Sequence, residues 1–334
     1  MPNYINYPSW LHPEVIQGIP ITWYSLSYIL IILISYKFIW YQIQSDNVDI
    51  KKEDYEIFMF SLVLGAILGG RLASTLVYDK SGIYYSNPWL ILLPFDQHWN
   101  FTGFRGMAIH GGFLGAIIAP LITINTKLKN TNVQKYFLKL TDYGSIAFSS
   151  GYILGRLANF ANAELYGRVM KGGIIFPNAE PFDTNIPGVK EFASSVGLEI
   201  SPHDLLINLP RIPSQLIEGF FEGPVTFLLL WFLFKKIKKY DGFIFGVYVM
   251  LYAFFRFFIE YLREPDKELG FIITYKPITS LSEFSFLNIS MGQILSLTLM
   301  LSGLIWIIVT KKIADKKIKI TPTWHTKIKI RASQ

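Results

Sequence analysis

Cysteine is absent from this chain, which excludes disulfides, thiolate nucleophiles and cysteine metal sites together. Charge is scarce as well: 16% of the 334 residues are Asp, Glu, Lys or Arg, against about 25% in an average soluble domain. Histidine occurs five times, at His12, His98, His110, His203 and His325. Only His110 falls in an apolar stretch of spanning length, and no second histidine stands beside it at ligand spacing, so neither a metal nor a cofactor is expected. The first twenty residues lack a basic n-region and a cleavage signal, so the first apolar segment is expected to insert as itself. No repeat and no low-complexity linker is visible.

What the chain has in plenty is apolar surface, with 51% hydrophobic and 16% aromatic residues. Stretches of about 20 apolar residues, the length needed to cross a bilayer, occur at 20–41, 57–78, 106–125, 143–163, 214–234, 242–262 and 289–310. The expected fold is an all-α polytopic membrane protein with seven transmembrane helices. Lysines cluster after the first, third, fifth and seventh spans (Lys51 and Lys52; Lys127 to Lys139; Lys235 to Lys239; Lys311 onward). By the positive-inside rule the N-terminus is outside and the C-terminus inside. The formal charge of +7 therefore belongs to topology anchors that also touch anionic lipid, and no nucleic-acid partner is expected.

Residues 1–334 thus read as a single integral membrane domain with three appendages. The segment 79–105 mixes aromatic residues with the apolar run Leu90 to Leu93 and is expected to lie at the interface as an external arm. The segment 164–213, rich in Gly, Pro and acidic residues, is expected to form a small external cap between spans four and five. Residues 311–334 form a basic cytoplasmic tail.

Polar side chains inside the spans carry the functional signal, because a charge at membrane depth costs about 2.5–3.5 kcal/mol on insertion scales and needs a partner, a wet cavity or an anionic ligand. The fourth span runs into Gly155-Arg156-Leu157-Ala158-Asn159-Phe160-Ala161-Asn162-Ala163-Glu164-Leu165-Tyr166-Gly167-Arg168, where Arg156 and Asn159 share one helix face. The sixth ends with Arg256, Glu260 and Arg263 at i, i+4 and i+7. Glu260 neutralises one arginine and leaves another for an anion, and Arg is the side chain suited to forked binding of phosphate. His110 sits among glycines, with Gly111 and Gly115 forming a small-residue pair for helix packing; its imidazole serves as a base, a donor or a packed polar group. Arg71 follows Gly65, Gly69 and Gly70 in the second span, and Glu218 and Glu222 open the fifth. An aromatic belt accounts for Trp23 and Tyr28, and Tyr24 fits one too. Gln293 is of the kind that bonds across helices. Arg156, Arg256 and His110, all near the external side by this topology, together read as a lipid-phosphate site in the outer half of the membrane. A polar knot that merely ties helices together, and a lipid or anion transporter, are the competing readings; a transporter predicts inverted halves, which the sequence does not show.

Seven blocks in order then resemble the prolipoprotein diacylglyceryl transferase family: Trp23-Tyr24 with Tyr28; Leu68 to Arg71; Met107 to Gly112; Gly155 to Arg168; Pro213 to Leu216 with Glu218; Phe255-Arg256 with Glu260 and Arg263 to Asp266; and Ile289 to Ser296. The pattern GRxxNFxNxExxGR within the fourth is specific. The resemblance implies a multi-pass enzyme of the bacterial cytoplasmic (inner) membrane that moves the diacylglyceryl group of phosphatidylglycerol to the lipobox cysteine of a preprolipoprotein. It implies His110 as base or donor, Arg156 and Arg256 on the lipid phosphate, and Asn159 and Glu260 orienting them. It places Tyr24 in the same cavity, Gly167 in a tight turn beside it, and Glu218 with the lipid-binding set. The family usually carries His-Pro-Ser-Gln-Leu-Tyr-Glu where this chain reads Ile212-Pro213-Ser214-Gln215-Leu216-Ile217-Glu218.

Overall fold

A computed structural model of the chain describes residues 2–16, 18, 21–93, 95–100, 107–201, 203–264, 270–275 and 285–320. The described chain is mostly helical. Its long helices are α1 (Trp23–Ser45), α2 (Lys52–Ala73, carried to Tyr78 by a π-turn), α3 (Ile109–Asn125), α4 (Phe137–Ala161), α5 (Ser214–Ile237, alternating α- and π-turns), α6 (Phe243–Ile259) and α7 (Met291–Ile320).

Among the described residues, five of these, namely α1, α2, α5, α6 and α7, are long and apolar enough to cross a membrane. The other two expected spans fall short for different reasons. α3 has 17 residues, about 26 Å of helix, against a hydrocarbon core of about 30 Å. α4 has length to spare at 25 residues but carries Asp142, Arg156 and Asn159 along it. The all-α expectation needs one correction, since three short strand pairs occur: Ile5–Asn6 parallel to Val169–Ile175, Phe182–Asp183 antiparallel to Leu206–Ile207, and Phe271–Ile273 antiparallel to Ile289–Ser290. Each lies where β-branched residues stand outside a helix.

The chain divides into two compact units, residues 38–140 and residues 1–37 with 141–334. In the first, α2 and α3 approach until their backbones touch. Gly65 lies against the carbonyl of Gly115, and Gly69 against that of Gly111, so the small-residue pair expected at Gly111 and Gly115 meets a matching pair on α2. A β-carbon at Gly111 or Gly115 would strike the facing carbonyls of Gly69 and Gly65. Gly115→Val is therefore expected to abolish accumulation of monodisperse protein in size-exclusion profiles, while Gly144→Ala, which meets open space, is expected to leave the profile unchanged.

Buried Arg71 fixes the arm to the same unit. Its Nε donates to the carbonyl of Ile91 at 2.8 Å and its Nη2 to that of Leu90 at 2.9 Å. The arm itself is a short helix at Ile83–Ser86 and a 3₁₀ turn at Pro88–Ile91. Its residues 101–105, including Arg105, lie outside the described residues, as do Pro265, Asp266 and the tail beyond 320.

In the second unit the segment expected to be a cap has a core of its own. Val169, Val189, Phe192, Ala193, Val196 and Leu209 are buried together, and Phe176 packs with Ala163 and Ala179. α7 starts in a capping box: Ser290 N–H donates to Gln293 Oε1 at 2.9 Å, and Gln293 N–H returns to Ser290 Oγ at 3.3 Å. The Gln293 amide also donates across to the carbonyl of Phe257 at 3.4 Å, as expected of it.

Candidate active site

Three helices deliver arginine and glutamate to one place. α4 contributes Arg156, α5 contributes Glu218 and Glu222, and the end of α6 contributes Arg256 and Glu260, with Arg263 just beyond. Glu218 is the hub. Its side chain is fully buried, and its Oε2 lies 2.8 Å from Arg156 Nη1 and 2.9 Å from Arg256 Nη1, while its Oε1 accepts from Arg263 Nη1 at 2.8 Å. Glu260 lies 3.2 Å from Arg256 and 3.7 Å from Arg263, and takes a hydrogen bond from Ser290 Oγ at 3.1 Å. Glu222, also fully buried, accepts from the Tyr152 hydroxyl at 2.5 Å, and that hydroxyl accepts from Arg156 Nη2 at 2.7 Å.

This corrects one inference from sequence. Three arginines face three glutamates, so the cluster carries no excess of positive charge by formal count. What it offers an anion is directed N–H groups. Arg156 and Arg256 keep side-chain exposures of 15% and 21% above a floor of buried carboxylates. Arg256 Nη1, although buried, makes no directed hydrogen bond even with Glu218 beside it.

A second constellation stands beside the first on α4. Asn159 Nδ2 donates to Glu164 Oε1 at 3.1 Å and also contacts the Tyr24 hydroxyl, which itself donates to Glu164. Tyr28 stacks on Tyr24 with ring centroids 6.2 Å apart. Burial pushes the Glu164 carboxyl above the usual carboxylate range.

The chain turns sharply after α4, and the turn is made by residues other than the glycine expected to make it. Ala163 (φ 52°) and Leu165 (φ 56°) take the left-handed conformation, which costs a non-glycine residue roughly 1–3 kcal/mol unless its surroundings enforce it. Ser214 Oγ and Gln215 Nε2 enforce it here, donating to the carbonyls of Leu165 and Glu164 at 3.0 and 2.8 Å. Gly167 is needed for close approach instead. Its N–H donates to the carbonyl of Ile212 at 2.8 Å, and a β-carbon on it would strike the carbonyl of Leu262.

A sequence model described as prolipoprotein diacylglyceryl transferase matches residues 13–309. The chain belongs to that family. Over 319 residues, 96% of this chain and 99% of its relative, it is 94% identical to the phosphatidylglycerol–prolipoprotein diacylglyceryl transferase of Borreliella afzelii strain PKo. It is 39% identical to the transferase of the same name from Treponema denticola, over 94% of this chain and 97% of that one. The Helicobacter pylori strain J99 transferase of that name is 35% identical over 90% and 93%.

In this diacylglyceryl transferase family member the structure joins Arg156, Arg256, Glu260 and Glu218 directly, with Asn159 and Tyr24 in the neighbouring constellation. His110 belongs to the other compact unit. It is exposed in the first turn of α3, and its Nδ1 lies 3.4 Å from the Tyr78 hydroxyl. Among the described residues no group of three or more His, Asp or Glu has the arrangement to hold a metal ion. Sequence reasoning passed over Tyr152, Glu164, Glu222 and Arg263 as site residues. The signals were present: Tyr152 stands one turn before Arg156, Glu222 one turn after Glu218, and Glu164 inside the block that carried the resemblance.

Proposed function

We propose that this chain transfers the diacylglyceryl group of phosphatidylglycerol to the lipobox cysteine of prolipoproteins, with Arg156 and Arg256 gripping the lipid phosphate. The observation that carries the assignment is the meeting of these two arginines, from separate helices, at one oxygen of the buried Glu218. The thiol sulfur attacks the glyceryl carbon that bears the phosphate; a C–S bond forms, the C–O bond breaks, and glycerol phosphate departs with the electron pair. Negative charge grows on the leaving phosphate, and fixed guanidinium groups stabilise it without reorganisation. The nucleophile comes with the substrate, which accords with a chain that has no cysteine.

Glu218 commits both oxygens to arginines, so its role is to hold them; Glu260 and Tyr152 orient the same guanidinium groups. Tyr24, Asn159 and Glu164 bind the polar glycerol portion. A thiol has a pKa near 8.5, so its proton needs an acceptor, and His110 is the candidate base or donor for that step. The chain lies in the bacterial inner membrane with seven spans, the N-terminus outside and the C-terminus inside, α3 and α4 being the two short or polar ones. Residues 79–105 form the external arm, 164–213 the external cap and 311–334 the cytoplasmic tail.

The test mixes purified protein with phosphatidylglycerol vesicles and a lipobox peptide and reads the peptide mass. A diacylglyceryl gain is expected with the cysteine peptide and none with its serine counterpart. No gain from folded protein contradicts the proposal and moves attention to lipid transport, read by a vesicle flip assay. A pH series adds a further expectation. Because burial raises the Glu164 carboxyl above its ordinary value, its ionised form is lost earlier than usual as pH falls. The acid limb of turnover is thus expected to shift in Glu164→Gln, which loses the carboxylate's contribution and keeps that of the base that takes the thiol proton. A limb that stays in place in Glu164→Gln removes Glu164 from the reaction.

A further inference from the structure

α4 and α6 run side by side in the same direction, and a row of contacts marks their alignment. At the start of α6, the fully buried Asp142 of α4 receives the N–H of Gly242 on Oδ2 and the N–H of Phe245 on Oδ1, both at 2.9 Å. Lys238 Nζ adds an ion pair to Oδ2 at 2.9 Å and a second to Asp241 at 2.9 Å. Further along, Phe148 meets Tyr248 edge-on at 6.4 Å, and Tyr152 meets Tyr252 at 6.0 Å. At the far end Arg156 and Arg256 share Glu218 Oε2. Fourteen residues separate Asp142 from Arg156, and fourteen separate Gly242 from Arg256. Both arginines therefore stand about 21 Å from the clamp.

A carboxylate that caps the N-terminus of a helix other than its own fixes that helix along its axis as well as laterally. It satisfies donors that have no partner inside the helix, and its charge opposes the helix dipole. Gly242, at φ 91°, turns the chain so that its N–H faces Asp142, and its carbonyl is held from the other side by Trp306 Nε1 at 2.8 Å. Between clamp and arginines the contacts are aromatic edges, which tolerate sliding far better than directed hydrogen bonds do. Directed contacts stand at the clamp and toward the arginine end, where Tyr252 also hydrogen-bonds Tyr152.

We propose that Asp142 is a positioning residue for the transfer reaction: by capping α6 it sets the axial register of α4 against α6 and so holds Arg156 and Arg256 level for one phosphate. This rests on the arginines being the phosphate ligands. A slip of one residue would displace one guanidinium from the other by about 1.5 Å, and misplacements of about 1 Å at a reacting centre cost on the order of 100-fold in rate.

The absence of native cysteine makes the register directly measurable. Nitroxide labels on Leu157→Cys and Phe258→Cys, both outward-facing at 44% and 52% exposure, report the distance between the outer ends of the two helices. Asp142→Asn and Asp142→Glu are each introduced into the labelled and unlabelled protein. The first loses one acceptor and the charge; the second keeps both but is one methylene longer. Each is expected to shift or broaden the distance distribution by about 1.5 Å or more and to lower kcat at least tenfold, with KM for the peptide within threefold of the parent. If one variant fails to accumulate, the other gives the answer. A variant that is folded and either fully active or inactive with the parent distance distribution overturns the inference. Failure of the underlying reading has its own signature, since Arg256→Ala would then stay active whatever Asp142 does.

Discussion

Arg256→Ala is expected to remove diacylglyceryl transfer, with a fall in kcat of at least 100-fold. Loss of one fixed donor to a developing oxyanion costs about 10²–10³ in rate in comparable sites. Here the same substitution also takes from Glu218 and Glu260 a cation 2.9 and 3.2 Å away, so the remaining arginines are pulled toward carboxylates that have lost a partner. Arg256→Lys keeps the charge and loses the planar fork, and is expected to retain a few per cent of the parent rate. Arg331→Ala, in the basic tail, is expected to transfer at the parent rate. Peptide mass gain against time measures all three, and equal rates for Arg256→Ala and Arg331→Ala would sink the phosphate assignment.

Glu218→Gln is expected to damage the protein itself. The carboxylate is fully buried and serves Arg156, Arg256 and Arg263 at once. An amide of the same shape leaves three guanidinium groups around a neutral centre. Removing one partner of a buried pair costs about 3–5 kcal/mol, and the hub position puts this substitution at the upper end of that range. Thermal unfolding in detergent should show a clearly lowered midpoint, with transfer lost in the fraction that remains folded. Arg263→Gln removes only one spoke and is expected to be milder. A Glu218→Gln protein as stable and active as the parent would show that the arginines need no common carboxylate.

Much of this was legible in the residues because the bilayer makes polar groups conspicuous. Arg156, Asn159, Arg256, Glu260 and Glu218 stand out against apolar neighbours, and the structure gathers all five into two adjoining constellations. The balance of charge was not legible. Glu222 and Arg263 were visible, but nothing in linear spacing says that α4, α5 and α6 bring three glutamates to three arginines. The role of Gly167 was misassigned for a similar reason: a glycine suggests a turn, whereas here the backbone segments at Ile212 and Leu262 close on it and the turn belongs to Ala163 and Leu165. Spans three and four were read as crossings like the rest, yet α3 is short at 17 residues and α4 carries Asp142, Arg156 and Asn159 along its length. Asp142 gave no signal as a lone carboxylate near a span end, since its function depends on a partner 100 residues away.

The claim at the centre of this account is that Arg156 and Arg256 hold the phosphate of a phospholipid. Native mass spectrometry of the protein released from detergent in the presence of phosphatidylglycerol, without peptide, tests it apart from chemistry. The parent is expected to carry one tightly retained phosphatidylglycerol that survives activation, while Arg156→Ala and Arg256→Ala lose it and Gly144→Ala keeps it. Equal retention by the parent and both arginine variants would contradict the account.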